Sequence, residues 1–357
     1  MLDAAISGAP LSARRRFPLA SPLALLVVAF ALLALDSGCR AKADAGARTL
    51  RIGYFANLTH AQAVLAVASG ELATAIAPLK LEAKVFNAGP SLIEALFAGE
   101  IDVGYVGPGP AIAAYARSGG KGIRVVAGAA ANGVVVVARK GSGITSLSDL
   151  RGKRVATPQL GNTQDLSARH YLSAVLKESD LGDVIPIDNA EQGAMFSRGE
   201  VDAAWVPEPW GQRLVTETGA TIIAEEKDLW PNKEFLLTAA VTTPEFLAAR
   251  ADVVATVLRV QRAWTKRLNE DPDRYVSALG DALFGLTGKR LGPAILPLAL
   301  RRVRFVDDPS PETMATFAAW KADLGFDRHD SPGGRGPADL DALVDTAALR
   351  RASAATP

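Results

Sequence analysis

The chain has 357 residues, of which 49% are apolar, enough for two domains with cores of their own. Its 39 basic and 38 acidic side chains leave a net charge of +1 with no basic stripe, which argues against nucleic acid as a partner. Three separated histidines and one cysteine argue against a metal cluster or an internal disulfide, and no cofactor motif is present.

Residues 1–39 read as an export signal. Arg14, Arg15 and Arg16 form a basic start, and Pro22 to Leu35 is uncharged and mostly apolar, too short to cross a bilayer. Ser37-Gly38-Cys39 follows and is similar to a bacterial lipobox, with Asp36 standing where that pattern has leucine. Cys39 is therefore the candidate for lipidation. Arg14-Arg15-Arg16-Phe17 also resembles a twin-arginine signal, from which Pro18 departs. Ala41 to Arg48 reads as a short tether.

From Thr49 the chain alternates strands and helices. Thr49 to Tyr54 and Leu81 to Phe86 read as strands, with an alanine- and leucine-rich helix over Gln62 to Ala77 between them. Ser91 to Ala98 reads as a helix and leads to Gly99-Glu100-Ile101-Asp102-Val103-Gly104-Tyr105-Val106. One hundred positions later, Gly199-Glu200-Val201-Asp202-Ala203-Ala204-Trp205-Val206 nearly repeats that run. Each copy ends in a proline-marked turn, Gly107 to Pro110 and Pro207 to Trp210. A repeat of this length fits two similar lobes with a cleft between them.

The second lobe repeats the order: a strand at Lys153 to Ala156, a helix at Asp165 to Lys177, a strand at Val184 to Ile187 and a helix at Gln192 to Arg198. Alternation of this kind predicts an α/β fold with parallel sheets. Val134 to Val137 and Leu236 to Val241 read as the two strands that cross between lobes. The expected division is 49–133 with 239–326 for lobe one and 134–238 for lobe two. A helix over Thr243 to Leu268 and another over Pro311 to Leu324 complete lobe one. A tail, 327–357, is broken at Gly333 to Gly336 and ends in a surface helix over Ala338 to Ala352.

Two loops occupy matching places between the first strand and first helix of each lobe. One is Asn57-Leu58-Thr59-His60-Ala61 and the other Thr157-Pro158-Gln159-Leu160-Gly161-Asn162-Thr163-Gln164-Asp165. Both offer short uncharged donors at a helix start, where unpaired N–H groups attract anions. The same residues serve as helix caps; two such loops at matched positions favour a ligand site.

These loops resemble those of the solute-binding proteins of ABC importers for aliphatic sulfonates, nitrate and taurine, a group related to the pyrimidine-precursor-binding family of thiamine biosynthesis. The likeness covers roughly residues 49–326 and implies a two-lobed periplasmic-binding-protein type II fold with two crossing strands as hinge. It implies ligand contacts from Asn57, Thr59 and His60, from Gly89, Pro90 and Ser91, and from Gly107 and Pro108. Gln159, Asn162, Thr163 and Gln164 face them from lobe two. It also implies a monomer that works outside the cytoplasmic membrane, takes a small solute and hands it to a permease.

Trp205-Val206-Pro207-Glu208-Pro209-Trp210 places a carboxylate and an indole at the expected mouth of the cleft. Glu208 is a candidate to recognise a positive group on a zwitterionic ligand, with helix capping as the alternative, and Trp210 a candidate to stack on the ligand or to fill core. The loop Trp230 to Glu234 is expected to set cleft volume. No H-E-x-x-H, P-loop or G-x-S-x-G motif is present, so binding is favoured over catalysis. The alternatives are an enzyme or pyrimidine-precursor-binding protein on the same scaffold, and a surface sensor. An export segment counts against a cytoplasmic enzyme.

Overall fold

The computed structural model describes residues 49–326, except 180 and 182, and residues 340–354. The export segment with Cys39 and the Gly333–Gly336 break lie outside the described residues. The chain opens with β1 (Thr49–Phe55), α1 (Ala61–Ala68), α2 (Glu71–Ala75), β2 (Lys80–Phe86), α3 (Gly89–Phe97), β3 (Val103–Val106), α4 (Pro108–Arg117) and β4 (Arg124–Asn132). It continues through β5 (Val134–Ala138), β6 (Val155–Thr157), α5 (Thr163–His170), β7 (Val184–Pro186), α6 (Gln192–Arg198), β8 (Ala203–Pro207), α7 (Trp210–Thr218) and β9 (Thr221–Glu225). Then come β10 (Leu236–Thr242), α8 (Pro244–Ala249), α9 (Ala251–Glu270), α10 (Val276–Thr287), α11 (Ile295–Leu300), β11 (Val303–Phe305), α12 (Pro311–Asp323) and α13 (Ala347–Ala354).

The strands form two sheets, ordered β11-β4-β10-β3-β1-β2 and β7-β6-β8-β5-β9. The two share a plan. In the first, β1 lies parallel to β2 and β3 while β10 runs antiparallel to β3. In the second, β6 lies parallel to β7 and β8 while β5 runs antiparallel to β8. The sheets are thus mixed where purely parallel ones were expected, because a strand that has just crossed from the other sheet enters each in the reverse direction.

The chain crosses at Gly133, between β4 and β5, with φ of 75°. It returns just before β10. The two runs expected to cross therefore each begin right after a crossing and stay within one sheet, and β10 enters the first sheet at Leu236, ahead of the boundary expected at 239. The two crossings are tied together: Asn132 donates its backbone N–H to the Phe235 carbonyl (3.0 Å), and Phe235 donates its own to the Asn132 carboxamide (3.2 Å).

The repeated Gly-Glu-x-Asp run has a structural role. Asp102 accepts from the Arg51 side chain at 2.7 and 3.1 Å and from the Arg51 backbone N–H at 2.7 Å. Asp202 accepts from Arg154 in the same three ways, at 2.9, 3.0 and 3.2 Å. Both arginines also reach a glycine carbonyl, Gly99 or Gly199. The same clasp thus pins β1 to the start of β3 and β6 to the start of β8, and salt-bridged bidentate geometry of this kind is both strong and directional.

Several elements end earlier than sequence periodicity predicts. The helix expected over 62–77 breaks at Gly70, whose left-handed φ of 75° separates α1 from α2. The one expected over 165–177 ends as a regular helix at His170 and continues as a π-turn over Tyr171–Val175. Arg250, at φ −136°, divides the long helix into α8 and α9. In the tail the helix expected over 338–352 forms only over Ala347–Ala354, and a short stretch before it is extended. Leu343 and Asp345 hydrogen-bond to Val125 at 2.8 and 2.9 Å, so the segment covers the part of β4 that β11 leaves open. Ala348 and Ala352 on α13 are then buried.

At the return crossing the core holds a carboxyl group. Glu226 accepts from Ser167 Oγ (2.7 Å), Trp205 Nε1 (2.6 Å) and Trp230 Nε1 (3.4 Å). No basic side chain lies among these donors. Burial pushes its pKa up to about 7, against the pull of the Trp205, Ser167 and Trp230 hydrogen bonds. Trp230 stacks on Phe235 and packs on Phe317 and Trp320, which fastens α12 over the crossing.

Candidate functional site

Three chain turns converge between the sheets, and each lies at the carboxyl end of a strand. The turn after β1 carries Asn57, Thr59 and His60 on a short 3-10 segment; the turn after β3 is Gly107; the turn after β6 ends at Asn162, which caps α5. In open α/β sheets this is where ligands bind. The glycines of the second turn permit the approach. A Cβ on Gly107 would lie 2.2 Å from Thr163 Oγ1, and one on Gly109 would lie 2.9 Å from the Leu166 side chain. The starts of α4 and α5 can therefore meet, joined by the Gly109 N–H donating to Thr163 Oγ1 at 3.2 Å. Two helix N-termini bring partial positive charge into one place, which an anion between them would offset.

The space they enclose is about 20 Å³, lined by Phe55, Asn57, Thr59, His60, Asn87 and Gly107 from one sheet and Asn162, Thr163, Gln164, Asn189 and Pro207 from the other. Leu237 and Thr238 of β10 complete it. That volume holds about one water molecule, so an organic solute enters only when the two rims separate. A groove of about 320 Å³ adjoins it, shares Asn57, Asn87 and Asn189, and runs past Phe86, Trp210 and Leu286. A larger groove, about 700 Å³, holds Trp230, Asn232 and Glu234 together with Arg304 and Ser310. The Trp230–Glu234 loop expected to set cleft volume thus lines the outside of the return crossing, and none of its residues lines the small cavity.

Four groups in the small cavity accept from a partner that can only donate. Asn57 Oδ1 accepts from Trp210 Nε1 at 2.6 Å, and Asn162 Oδ1 accepts from the Thr163 backbone N–H at 2.6 Å. His60 Nδ1 accepts from the Phe55 backbone N–H at 3.4 Å, and Thr163 Oγ1 from that of Gly109. An indole or backbone N–H has no lone pair to offer, so the two amides and the imidazole each turn a donor the other way, an amide NH2 twice and the His60 Nε2–H, while the Thr163 hydroxyl keeps both its hydrogen and a second lone pair. His60 is 2% exposed, and burial lowers its pKa to about 3. It is a neutral donor across the physiological range.

The remaining sequence candidates lie beside this lining. Gly89, Pro90 and Ser91 open α3; a Cβ on Gly89 would lie 2.2 Å from Pro110, and Ser91 donates to the Ala88 carbonyl, so this trio packs α3 against α4. Pro108 is the first residue of α4, where its missing N–H costs nothing. Gln159 accepts the Asn162 N–H through its backbone carbonyl. Glu208 is buried and does not face the cleft. Its carboxylate accepts from the Gln212 N–H (2.9 Å) and pairs with Arg302 (2.9 Å), so no charge remains to meet a cationic ligand. Burial pushes its pKa up, opposed by Gln212 and Arg302. Trp210 borders the adjoining groove and spends its N–H on Asn57.

Sequence reasoning passed over Asn87 and Asn189. They follow β2 and β7, which are equivalent strands of the two sheets, and Asn87 bonds Asp188 across the cleft at 3.2 Å. The two asparagines lie 102 positions apart, two more than the spacing of the repeat, so the match shows only once their strands are paired. Phe55, Pro207, Leu237 and Thr238 sit at strand ends with no polar signature that distinguishes them from core.

A two-sheet α/β body with donors gathered between the sheets is the architecture of periplasmic binding proteins. The alkanesulfonate-binding protein SsuA of Xanthomonas axonopodis pv. citri, bound to MOPS, superposes with a TM-score of 0.66 at 24% identity, over 85% of this chain and 99% of that one. The periplasmic nitrate-binding protein NrtA of Synechocystis PCC 6803 gives 0.69 at 16% identity, over 87% and 89%. The chain belongs to the NMT1-like family, whose model matches residues 43–278. A Brucella abortus (strain 2308) protein that carries the name of a binding protein is 29% identical over 207 residues, 58% of this chain and 60% of its own. An Escherichia coli (strain K12) protein assigned by name to aliphatic sulfonates is 28% identical over 197 residues, 55% and 61%. The chain thus spans about 60% of the length of these curated relatives.

Proposed function

We propose that this chain is the extracytoplasmic solute-binding component of an ABC importer and captures a small oxyanion-bearing solute, of the sulfonate or nitrate type, between its two halves. One observation carries the reading: two amides and an imidazole of the cavity are oriented as donors by donor-only partners, and two helix N-termini meet beside them. A ligand that offers only acceptors suits such a lining. The names borne by the sulfonate- and nitrate-binding relatives point the same way.

On this reading the halves, 49–133 with the segment from β10 to 326, and 134 to the start of β10, move apart to admit solute and close on it. Solute shifts the balance toward the closed form by the interactions it makes with both rims at once, added to direct bonds between the halves such as Trp210–Asn57. The protein binds and releases without chemistry and acts as a monomer that delivers its cargo to a permease. The export segment at 1–39 carries it out of the cytoplasm, with Cys39 as its lipid anchor. Isothermal titration with methanesulfonate, taurine, nitrate and a free pyrimidine tests the solute class. Affinity in the nanomolar to micromolar range, about −8 to −12 kcal/mol, is expected for an oxyanion. Tight binding of the pyrimidine alone would replace this reading with the precursor-binding one. Mass spectrometry of the mature N-terminus tests the anchor, which fails if the first residue is not an acylated Cys39.

A further inference from the structure

Asn57 and Trp210 belong to different halves. Asn57 follows β1 of the first sheet, and Trp210 opens α7 behind β8 of the second. Both are nearly buried, at 6% and 9% exposure, and the Trp210 indole donates to Asn57 Oδ1 at 2.6 Å. An indole nitrogen only donates, so the amide has one acceptable orientation: oxygen toward Trp210, NH2 toward the cavity. Turning it over would set two N–H groups against each other in a buried place and offer the ligand an acceptor instead.

The indole is itself held. The Leu58 N–H donates to the Glu208 carbonyl at 3.2 Å, which ties the two chain segments side by side. The Glu208 carboxylate caps the first turn of α7 through the Gln212 N–H, and Arg302 fixes that carboxylate. The Arg213 guanidinium lies over the Trp210 ring, 5.5 Å from its centroid.

We propose that Trp210 is a positioning residue that selects for acceptor-only head groups: reaching across from the second half, its N–H locks the Asn57 amide with the NH2 facing the solute. This rests on the solute reading above, and it adds that Trp210 acts without touching the head group. The corresponding discrimination is between a sulfonate, which presents only oxygens, and the sulfonamide of the same shape, which presents an NH2 where Asn57 already has one.

Two measurements test it. In the ligand-free protein, the Trp210 indole signal of a ¹H–¹⁵N spectrum, assigned by its loss in Trp210→Phe, should shift in Asn57→Leu and stay near its native position in Asn57→Asp, whose carboxylate still accepts. A signal that does not move in Asn57→Leu overturns the proposal whatever the protein binds. In titrations with methanesulfonate and methanesulfonamide, Trp210→Phe should weaken the sulfonate about tenfold, the effect of one hydrogen bond, and narrow the preference for it. That loss should disappear when Asn57 is already Leu. An equal loss in both backgrounds means that Trp210 acts through packing, and the positioning role fails. If the indole signal responds in Asn57→Leu but the native protein binds neither methanesulfonate nor nitrate, the lock stands and the oxyanion reading of the cavity falls.

Discussion

Burial keeps the His60 imidazole neutral down to about 3, whereas in the unfolded chain it takes a proton near its ordinary 6.5. Between those values the unfolded state binds more protons, so this residue makes stability fall as the solution is acidified from about 6.5. Glu226 acts in the opposite sense. Its folded pKa of about 7 lies above the ordinary 4.5, so the folded state holds the extra proton and stability falls as pH rises from 4.5 to about 7. Where the two windows overlap they oppose each other. Calorimetric melting across pH 4–7 should therefore separate them: His60→Gln leaves a protein that loses stability with rising pH, and Glu226→Gln one that loses it on acidification. At this scale the sequence was partly legible. Asn57, Thr59, His60, Asn162, Thr163 and Gln164 were readable because short polar residues at a helix start are conspicuous. Glu208 was read as a ligand contact or a helix cap; it caps α7 through the Gln212 N–H, and nothing near it in sequence announces Arg302, its partner 94 positions away.

Among the elements, the meeting of α4 and α5 makes the sharpest demand on side-chain size. Gly107→Ala places a methyl group 2.2 Å from Thr163 Oγ1 and 3.2 Å from the Leu237 carbonyl, so the two helix starts must part. Overpacking of this kind typically costs about 1–3 kcal/mol. The variant should fold, stay open in small-angle scattering with solute present, and bind about tenfold more weakly or worse; replacing Thr163 by Gly in the same chain should recover part of the loss. Strands were well read from sequence because the alternation and the repeated run mark them. Helix lengths were not. Alanine and leucine favour helix across 62–77, and the interruption is a local matter of Gly70 taking a left-handed turn. In the tail, helical periodicity concealed a short extended stretch at 343–345 that the open edge of β4 recruits.

For the whole molecule, the Glu208–Arg302 pair joins the halves at the first crossing. Glu208 is fully buried and the Arg302 side chain only 20% exposed. Removing the cation alone strands the carboxylate, so Arg302→Met should lower unfolding free energy by about 3 kcal/mol in denaturant melts. A variant within about 0.5 kcal/mol of the native protein, the scatter of a neutral surface change, would show that the pair holds nothing together. The two-half plan was legible from the Gly-Glu-x-Asp repeat, although that run itself proved to be a strand clasp with no part in the cavity.

The hydrogen bonds between Asn132 and Phe235 bring together the points where the chain leaves the first sheet and comes back to it. The intervening stretch, 134–235, is thus a cassette with coincident seams. Such a cassette can be exchanged for that of a relative without stretching either seam, provided that the incoming segment supplies partners for Arg302 and Asn57, as Glu208 and Trp210 do here. Recombining whole halves would then replace one rim of the cavity as a block, with no need to rebuild it one residue at a time.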